Sequence, residues 1–185
     1  AFGSYDSSRP LTIDPARIWG TYYGGGFADE AYDCATDETG NVYIAGQTNS
    51  VSSIAAAGHQ STLGGQVDAF LVKFNSDGQR LWGTYYGGTL SDQGQACTVD
   101  GSGNVFLAGS TNSATGIASG GHQNVSGSPG LDAPFLVKFN SEGVRQWGTY
   151  YGGASAGHGR DCVADGNGNI YLAGSTESHS GVADG

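Results

Sequence analysis

Basic side chains are scarce in this 185-residue sequence: seven Lys and Arg stand against 17 Asp and Glu, giving a formal charge of -10. Such an acidic surface repels phosphate backbones and anionic lipid headgroups. The sequence also lacks any apolar run near the ~20 residues that a membrane-spanning helix needs. We therefore expect neither a nucleic-acid partner nor membrane insertion.

Helical patterns and catalytic signatures are also scarce. No stretch has helical periodicity for more than a turn or two, and no phosphate-binding glycine loop leads into a helix. Serine is abundant and the four histidines are scattered, so chance triplets of Ser, His and carboxylate carry no weight as a catalytic triad. We predict no catalytic residues and a protein that is not an enzyme.

What the chain does contain is a threefold internal repeat. The heptapeptide Trp-Gly-Thr-Tyr-Tyr-Gly-Gly begins at Trp19, Trp82 and Trp147, so successive copies lie 63 and 65 residues apart. An Asp-x-x-Gly-Asn segment also recurs three times, and Phe-Leu-Val-Lys-Phe-Asn recurs twice. Periods of tens of residues indicate an array of similar structural units.

Each unit contains four segments of β-branched and aromatic residues separated by Gly, Asn and Asp, which predict strands and turns. In the first complete unit these strands are expected at 32–37, 41–48, 68–75 and 80–86. Four antiparallel strands per repeat indicate the blades of a β-propeller. The predicted fold class is therefore all-β, a partial β-propeller of about two and three-quarter blades with a short extended N-terminal leader.

The repeat also sets the expected boundaries. A propeller ring generally needs ~4–8 blades, so we expect either a segment of a longer polypeptide or an assembly of several copies. The leader, or the end of a preceding module, is expected at 1–15, strand four of an incomplete blade at 16–25, complete blades at 26–88 and 89–153, and an incomplete blade at 154–185.

The motifs, in this order and at this spacing, resemble the SBBP family of bacterial seven-bladed β-propeller repeats over residues 19–176. The resemblance implies a secreted or cell-surface bacterial protein, of a kind that commonly carries adhesion modules. The family offers no catalytic residues to transfer to this chain. The localisation expected from the resemblance is therefore extracellular or on the bacterial cell surface.

Two loops of roughly twenty residues, 49–67 and 112–131, join the predicted second and third strands of successive blades. We expect them to be ordered only by packing on their neighbours. They share one face of the propeller with the blade-to-blade connections, and binding residues gather on loops held by a rigid scaffold. The candidate ligand- or partner-binding residues on this face are His59, Gln60, His122, Gln123 and Asn124.

Metal binding is weakly indicated. One His per blade does not supply the converging ligands of a metal site, so structural capping by the imidazole is the simpler interpretation. Asp29, Glu30 and Asp33 suggest calcium as an alternative, but the later repeats lose most of these carboxylates. We predict no cofactor.

Other repeated residues have structural interpretations. Cys34, Cys97 and Cys162 occupy equivalent first strands, and we interpret them as small buried apolar side chains rather than disulfide partners. The repeated Asp-x-x-Gly-Asn aspartates are expected to cap tight turns. The Tyr-Tyr pairs are expected to pack between blades, because successive side chains of a strand face opposite sides.

The predicted function is a noncatalytic extracellular or cell-surface scaffold for adhesion, binding or assembly through the long loops. A glycan-binding propeller is one alternative, and a fragment of a propeller enzyme acting on polysaccharide is another. The expected partners are the remaining blades of the same polypeptide or other copies of the chain, together with a surface glycan or protein.

Overall fold

Ten β-strands form three antiparallel sheets in the computed structural model, which describes residues 17–182. The predicted leader at 1–15 lies outside this range. No helix among the described residues is long and apolar enough to cross a membrane. The strands are β1 (Asp29–Thr36), β2 (Val42–Thr48), β3 (Asp68–Phe74), β4 (Arg80–Tyr86), β5 (Asp92–Val99), β6 (Val105–Thr111), β7 (Ala133–Phe139), β8 (Arg145–Tyr150), β9 (Gly157–Ala164) and β10 (Ile170–Thr176).

The strand order identifies each sheet as a blade or part of one. The first sheet has the order β1-β2-β3-β4, the second β5-β6-β7-β8, and the third contains β9 and β10. The edge strands β1, β5 and β9 contact one another in succession, so they are the axial strands of the arc. The predicted all-β class and partial propeller architecture are confirmed, with described sheets of four, four and two strands.

Tight turns between the first and second strands of each blade depend on an aspartate. Asp37 Oδ1 accepts hydrogen bonds from the backbone N–H groups of Thr39 and Asn41, both at 3.0 Å, and Asp37 Oδ2 accepts one from Asn41 Nδ2 at 2.7 Å. Desolvation alone would raise the pKa of Asp37, but these bonds outweigh it and lower the pKa to about 2. Asp100 and Asp165 accept the same backbone bonds, so the predicted turn-capping role is confirmed.

The hydrophobic core lies in three clusters: one between the first and second sheets, one between the second and third, and one where the segment before β1 packs on the first sheet. Alternate side chains of the first sheet, including Tyr43 and Leu71, pack against Leu107, Phe135 and Phe139 of the second sheet. The opposite face of the second sheet packs on the third through a separate cluster. Each blade therefore stabilises its neighbours by burying apolar area that it could not bury alone.

The strand predicted over 16–25 is absent from the part of this segment that the structure describes. Residues 17–28 form no strand, because no described strand is available to pair with them. Trp19 and Tyr23 nevertheless pack on the first sheet, with ring centroids 6.0 and 5.8 Å from that of Phe74. The segment thus packs on the first sheet through its aromatic rings, and the backbone of Phe27 and Ala28 bonds to Ser50 and Asn49 of the long loop.

The long loops are fastened to the outer strands by hydrogen bonds, which corrects the expectation that packing alone orders them. The N–H of Ala56 donates to the carbonyl of Gly83 at 2.9 Å, and the N–H of Gly83 donates back to Ala56 at 2.8 Å. Ser119 and Gly148 repeat this pair in the second blade. Each loop therefore covers the edge of its own outer strand, where open pairing groups would otherwise face solvent.

Candidate functional site

The long loops and the blade-to-blade connections meet on one face of the arc, as predicted. Val67 pairs with Ser91 in an isolated bridge, and the N–H of Asp92 donates to the carbonyl of Val67 at 2.8 Å. This surface, formed by residues 49–67, 87–91 and 112–131, is called the long-loop face below. Because both kinds of connection are hydrogen-bonded to the sheets, the long-loop face is an ordered surface and not a set of free loops.

Gln60 and Gln123 fasten the long-loop face. Gln60 Nε2 donates to Asp68 Oδ2 at 2.8 Å, while Gln60 Oε1 accepts from the N–H of Gly87 at 3.1 Å. Gln123 Nε2 donates to the carbonyl of Gly152 at 3.2 Å, and its Oε1 accepts from the N–H of the same residue at 3.3 Å. Both amides therefore join a long loop to the connection that follows its blade, and their role in ligand binding stays a prediction.

His59, His122 and Asn124 lie at the solvent-exposed surface of the same face. One side of the His59 ring packs near Tyr86 and Phe139, with centroid distances of 6.4 and 6.2 Å. Desolvation on that side lowers the pKa of His59, and the charge of Arg145 lowers it further. His59 is thus biased toward the neutral imidazole, and the predicted contact role of these three residues stays open to experiment.

Asp92 forms a buried cap at the start of its axial strand. Its carboxylate accepts hydrogen bonds from the Thr111 hydroxyl, from Ser113 Oγ at 3.0 Å and from the N–H of Gly88 at 2.8 Å. Desolvation raises the pKa of Asp92 to about 6 in spite of these bonds, and nearby Asp68 adds to the rise. Asp29 makes the equivalent contacts in the first blade, with Thr48, Ser50 and the N–H of Gly25.

Gly87 separates two buried carboxylates. A Cβ atom at Gly87 would lie 2.6 Å from both Asp68 Cγ and Asp92 Oδ2, so only glycine fits between them. Desolvation also raises the pKa of Asp68, against the hydrogen bonds that it accepts from Gly64, Gly65 and Gln60. The sequence signal for this arrangement is the second Gly of the heptapeptide, which recurs in all three copies.

The heptapeptide is the joint between successive blades. Tyr86 donates its hydroxyl hydrogen to the carbonyl of Ile117 in the next long loop, and Tyr23 makes the same bond to Ile54 at 2.7 Å. Trp82 Nε1 donates to the carbonyl of Ser141 in the next blade at 3.0 Å. The interpretation of the tyrosine pairs as inter-blade packing is confirmed for the second tyrosine.

The first tyrosine of each pair bonds to a loop of its own blade. Tyr85 donates its hydroxyl hydrogen to the carbonyl of Ser50 at 2.7 Å, and Tyr150 donates to Ser113 at 2.9 Å. Both acceptors lie at the start of a long loop within the same blade. The pair therefore fixes one loop of its own blade and one loop of the next.

The three cysteines differ in exposure. Cys97 and Cys162 are buried, as predicted, and burial raises the pKa of the Cys162 thiol to about 12. Cys34 is exposed, against the prediction, because no described strand covers the face of the first sheet where it lies. None of the three is bonded in a disulfide. Within residues 17–182 no three His, Cys, Asp or Glu side chains are grouped so that they could hold a metal ion.

One catalytic sequence pattern does occur, as Gly-Ala-Ser-Ala-Gly at 153–157. In the serine hydrolases that carry Gly-x-Ser-x-Gly, a strand leads into the serine and a helix follows it. Here the segment connects β8 to β9, and Ser155 is held by Ser178, whose Oγ lies 2.9 Å from the N–H of Ser155. The match is therefore a blade-to-blade connection without the geometry of a nucleophile elbow.

Large apolar side chains project from the long-loop face into solvent. Val51 and Val125 are 66% and 75% exposed. Sequence reasoning missed these positions because isolated apolar residues in a loop carry no periodicity. Leu90 and Leu131, which are 46% and 51% exposed, lie on the same face. All four lie in loops or connections that hydrogen bonds hold in place.

Comparison with known proteins agrees with this architecture. A family profile described as SBBP, beta-propeller repeat, matches residues 18–51, 81–116 and 146–179. The chain is also 24% identical over 191 aligned residues to an uncharacterized WD repeat-containing protein of Acanthamoeba polyphaga mimivirus. That alignment covers 90% of this chain but only 14% of the viral protein, so the chain spans a small part of that relative.

Proposed function

Because the chain belongs to the SBBP family of β-propeller repeats, we propose that it is a noncatalytic scaffold that binds a partner through its long-loop face. The proposed setting is extracellular or on a cell surface, where such binding serves adhesion or assembly. The observation that carries this proposal is the set of exposed apolar side chains on loops that hydrogen bonds hold in place.

Order in these loops favours binding. A surface that is already fixed loses little conformational entropy when a partner docks, so more of the contact energy appears as affinity. Val51 and Val125 would lose most of their exposed area in such a contact, and burial of apolar area contributes about 25 cal/mol per Å2. The imidazole of His122 and the amide of Asn124 are exposed on the same loop as Val125 and would supply polar contacts at the rim.

A noncatalytic role is supported by what the ionisable side chains already do. Asp68, Asp92 and the repeated turn aspartates are occupied by hydrogen bonds within the protein. Cys97 and Cys162 are buried with raised pKa values, which is the opposite of what a nucleophilic thiol requires. These groups stabilise the scaffold, and catalysis would need others.

The test compares two double variants on an array of immobilised extracellular glycans and proteins. Val51→Ser with Val125→Ser removes apolar contacts from the long-loop face. Leu81→Ser with Val144→Ser is the matched control, because these side chains are 48% and 54% exposed near the turns at the opposite ends of the strands. We expect the first pair to weaken array binding at least tenfold and the control pair to leave it unchanged.

Two results would contradict the proposal. One is equal binding by the two double variants and the unmodified chain. The other is release of soluble sugar from polysaccharide at enzymatic rates by a dialysed sample, which would favour a propeller enzyme instead.

A further inference from the structure

Each axial strand carries one β-bulge at the same position of the repeat. The register of β1 with β2 passes from Ala31 to Asp33, leaving Tyr32 without a partner. Gln95 and Arg160 are left out in the same way on β5 and β9. All three residues lie on axial strands, and a bulge is a known means of re-aiming a side chain.

A glycine on the facing strand makes each bulge possible. A Cβ atom at Gly46 would lie 2.0 Å from the carbonyl oxygen of Glu30, and one at Gly109 would lie 1.9 Å from that of Gln93. Gly174 stands in the same relation to His158. The Gly that ends the repeated Ala-Gly dipeptide is therefore required by the bulge, which explains why all three copies contain it.

The bulge residues have polar companions two positions earlier. The hydroxyl of Tyr32 donates to Glu30 Oε2 at 2.5 Å, and Gln95 Nε2 donates to Gln93 Oε1 at 3.2 Å. In the third blade the companion of Arg160 is a histidine, and its Nδ1 lies 3.3 Å from Ser110 Oγ of the preceding blade. The axial band is defined here as Glu30, Tyr32, Gln93, Gln95, His158 and Arg160.

The backbone of the axial band is constant while its side chains change from blade to blade. Every blade has the bulge and the facing glycine, yet the bulge position holds Tyr32, Gln95 or Arg160. If these side chains served packing, the repeat would retain them as it retains the heptapeptide. An accessible position whose side chain differs from blade to blade is expected where a protein binds a ligand whose parts differ from one another.

A buried oxygen beside the axial band lacks a hydrogen-bond donor. Gln47 Nε2 donates to Glu30 Oε2 at 3.0 Å, which fixes the orientation of the amide. Among the residues that the structure describes, Gln47 Oε1 is the one buried side-chain oxygen or nitrogen without a partner. An unpaired buried acceptor costs free energy, so the contact between Gln47 and Glu30 is less stable than a fully hydrogen-bonded one.

We propose that the axial band is a binding site for an uncharged saccharide. Amides, a carboxylate, an imidazole and a guanidinium offer donors and acceptors at several points, as a polyhydroxylated ligand requires. The Tyr32 ring, 42% exposed, supplies a flat apolar surface beside them. This site depends on the propeller scaffold proposed above but not on its long-loop face.

Other ligand classes fit the band less well. The formal charge of -10 opposes nucleic acids and other polyanions. An apolar molecule would desolvate the amides and charges of the band without replacing their hydrogen bonds. A ligand rich in hydroxyl groups can exchange hydrogen bonds with the amides, the carboxylate and the guanidinium of the band.

The test titrates the full 185-residue chain with cellohexaose, maltohexaose and chitohexaose by isothermal calorimetry. We expect at least one of these to bind, and Tyr32→Ala and Gln95→Ala each to weaken that binding at least tenfold. The matched controls are Tyr22→Ala and Gln146→Ala, which remove the same side chains at exposed positions away from the axis. Thermal unfolding of each variant establishes that the fold is retained.

Tyr32→Phe separates the ring from its hydroxyl. Intermediate binding by this variant, with an unchanged melting temperature, supports direct contact by both groups.

Three outcomes would overturn the axial site. The first is no binding of any of the three hexasaccharides. The second is equal binding by the axial variants and their controls. The third is loss of saccharide binding in the Val51→Ser with Val125→Ser variant but not in the axial variants, because it would place the sugar on the long-loop face. Axial binding without any array partner that depends on the long loops would reject the proposed function and leave the axial site intact.

Discussion

The repeated sequence is constant at the outer edges of the blades and varies at their axial edges. At the outer edge, the sequence from Trp82 to Gly88 is repeated without change in all three copies. At the axial edge, the bulge position holds Tyr32, Gln95 or Arg160, although the backbone follows the same path. The two edges belong to the same sheets and lie only a few strands apart.

The difference shows which structural constraints keep the residues of a repeat identical within one chain. Tyr86, Trp82 and Gly83 each contact a segment outside their own strand, so a change at one position would need a matching change elsewhere. Tyr32 and Gln95 bond instead to a side chain two positions earlier on their own strand, so a change at either needs no matching change in another segment. Only the facing glycine at that edge is fixed, because a backbone carbonyl occupies the space that a side chain would need.

Gly109→Ala should have the largest effect on stability, because it changes the glycine that faces the bulge in every blade. The added methyl group would lie 1.9 Å from the carbonyl oxygen of Gln93, which cannot move without breaking the β5–β6 pairing. We expect a loss of about 3 kcal/mol or more in the free energy of unfolding, measured in urea by tryptophan fluorescence.

Gly101→Ala is the control, since a Cβ atom there meets nothing within 4 Å. It should change the free energy of unfolding by less than about 0.5 kcal/mol. Equal losses for the two variants would show that the bulge tolerates a side chain on the facing strand, and the rule drawn for the axial edge would be wrong.

Asp92→Asn should have the next largest effect, which depends on pH. Asp92 lies on an axial strand but faces inward, and burial raises its pKa to about 6, above the value of about 4 in the unfolded chain. Between these values the folded protein binds more protons, so its stability falls as pH rises from about 4 to about 6. The full contribution is on the order of 3 kcal/mol, and it is retained below pH 4.

Asp92→Asn should remove this decline in stability, while Asp77→Asn, at an exposed turn, should leave it in place. The depressed pKa of Asp37 acts with the opposite sign, because its stabilisation is lost as pH falls from about 4 toward about 2. The two windows are therefore separable by urea unfolding at a series of pH values. Identical pH profiles for the Asp92 variant and the unmodified chain would argue against a buried carboxylate with a raised pKa.

Sequence reasoning could reach the parts of the structure that depend on local chemistry. The strands, the Asp37 turn and the meeting of loops on one face follow from alternation, turn residues and strand direction. The bond between Gln60 and Gly87 joins residues 27 positions apart and has no local signal. The bulges could not be predicted from the sequence either, because the equivalent residues Tyr32 and Gln95 are of different types and form no repeated motif.

The repeat also could not predict how exposed each side chain is to solvent. Cys34 and Cys97 are equivalent in sequence, yet one is exposed and the other buried, because only the second faces a described neighbouring blade. Repeat equivalence therefore predicts the local backbone but not the surroundings of a side chain. For Gln60, the residue type did not reveal its partners in the loop and the blade, and its ligand-binding role stays a prediction.

Deleting a single hydroxyl group at each edge gives the smallest expected effects and the closest comparison. Tyr86→Phe removes one of two donors to the buried carbonyl of Ile117 and leaves the longer bond of 3.4 Å from Arg145, so it should cost about 1 kcal/mol in the free energy of unfolding. Tyr32→Phe removes a bond to the exposed Glu30, which water replaces, so it should cost less than about 0.5 kcal/mol. Urea unfolding of both variants under the same conditions measures the difference. A cost for Tyr32→Phe equal to that of Tyr86→Phe would mean that the axial hydroxyl stabilises the blade, and variation at the bulge would then need a structural explanation instead of a binding one.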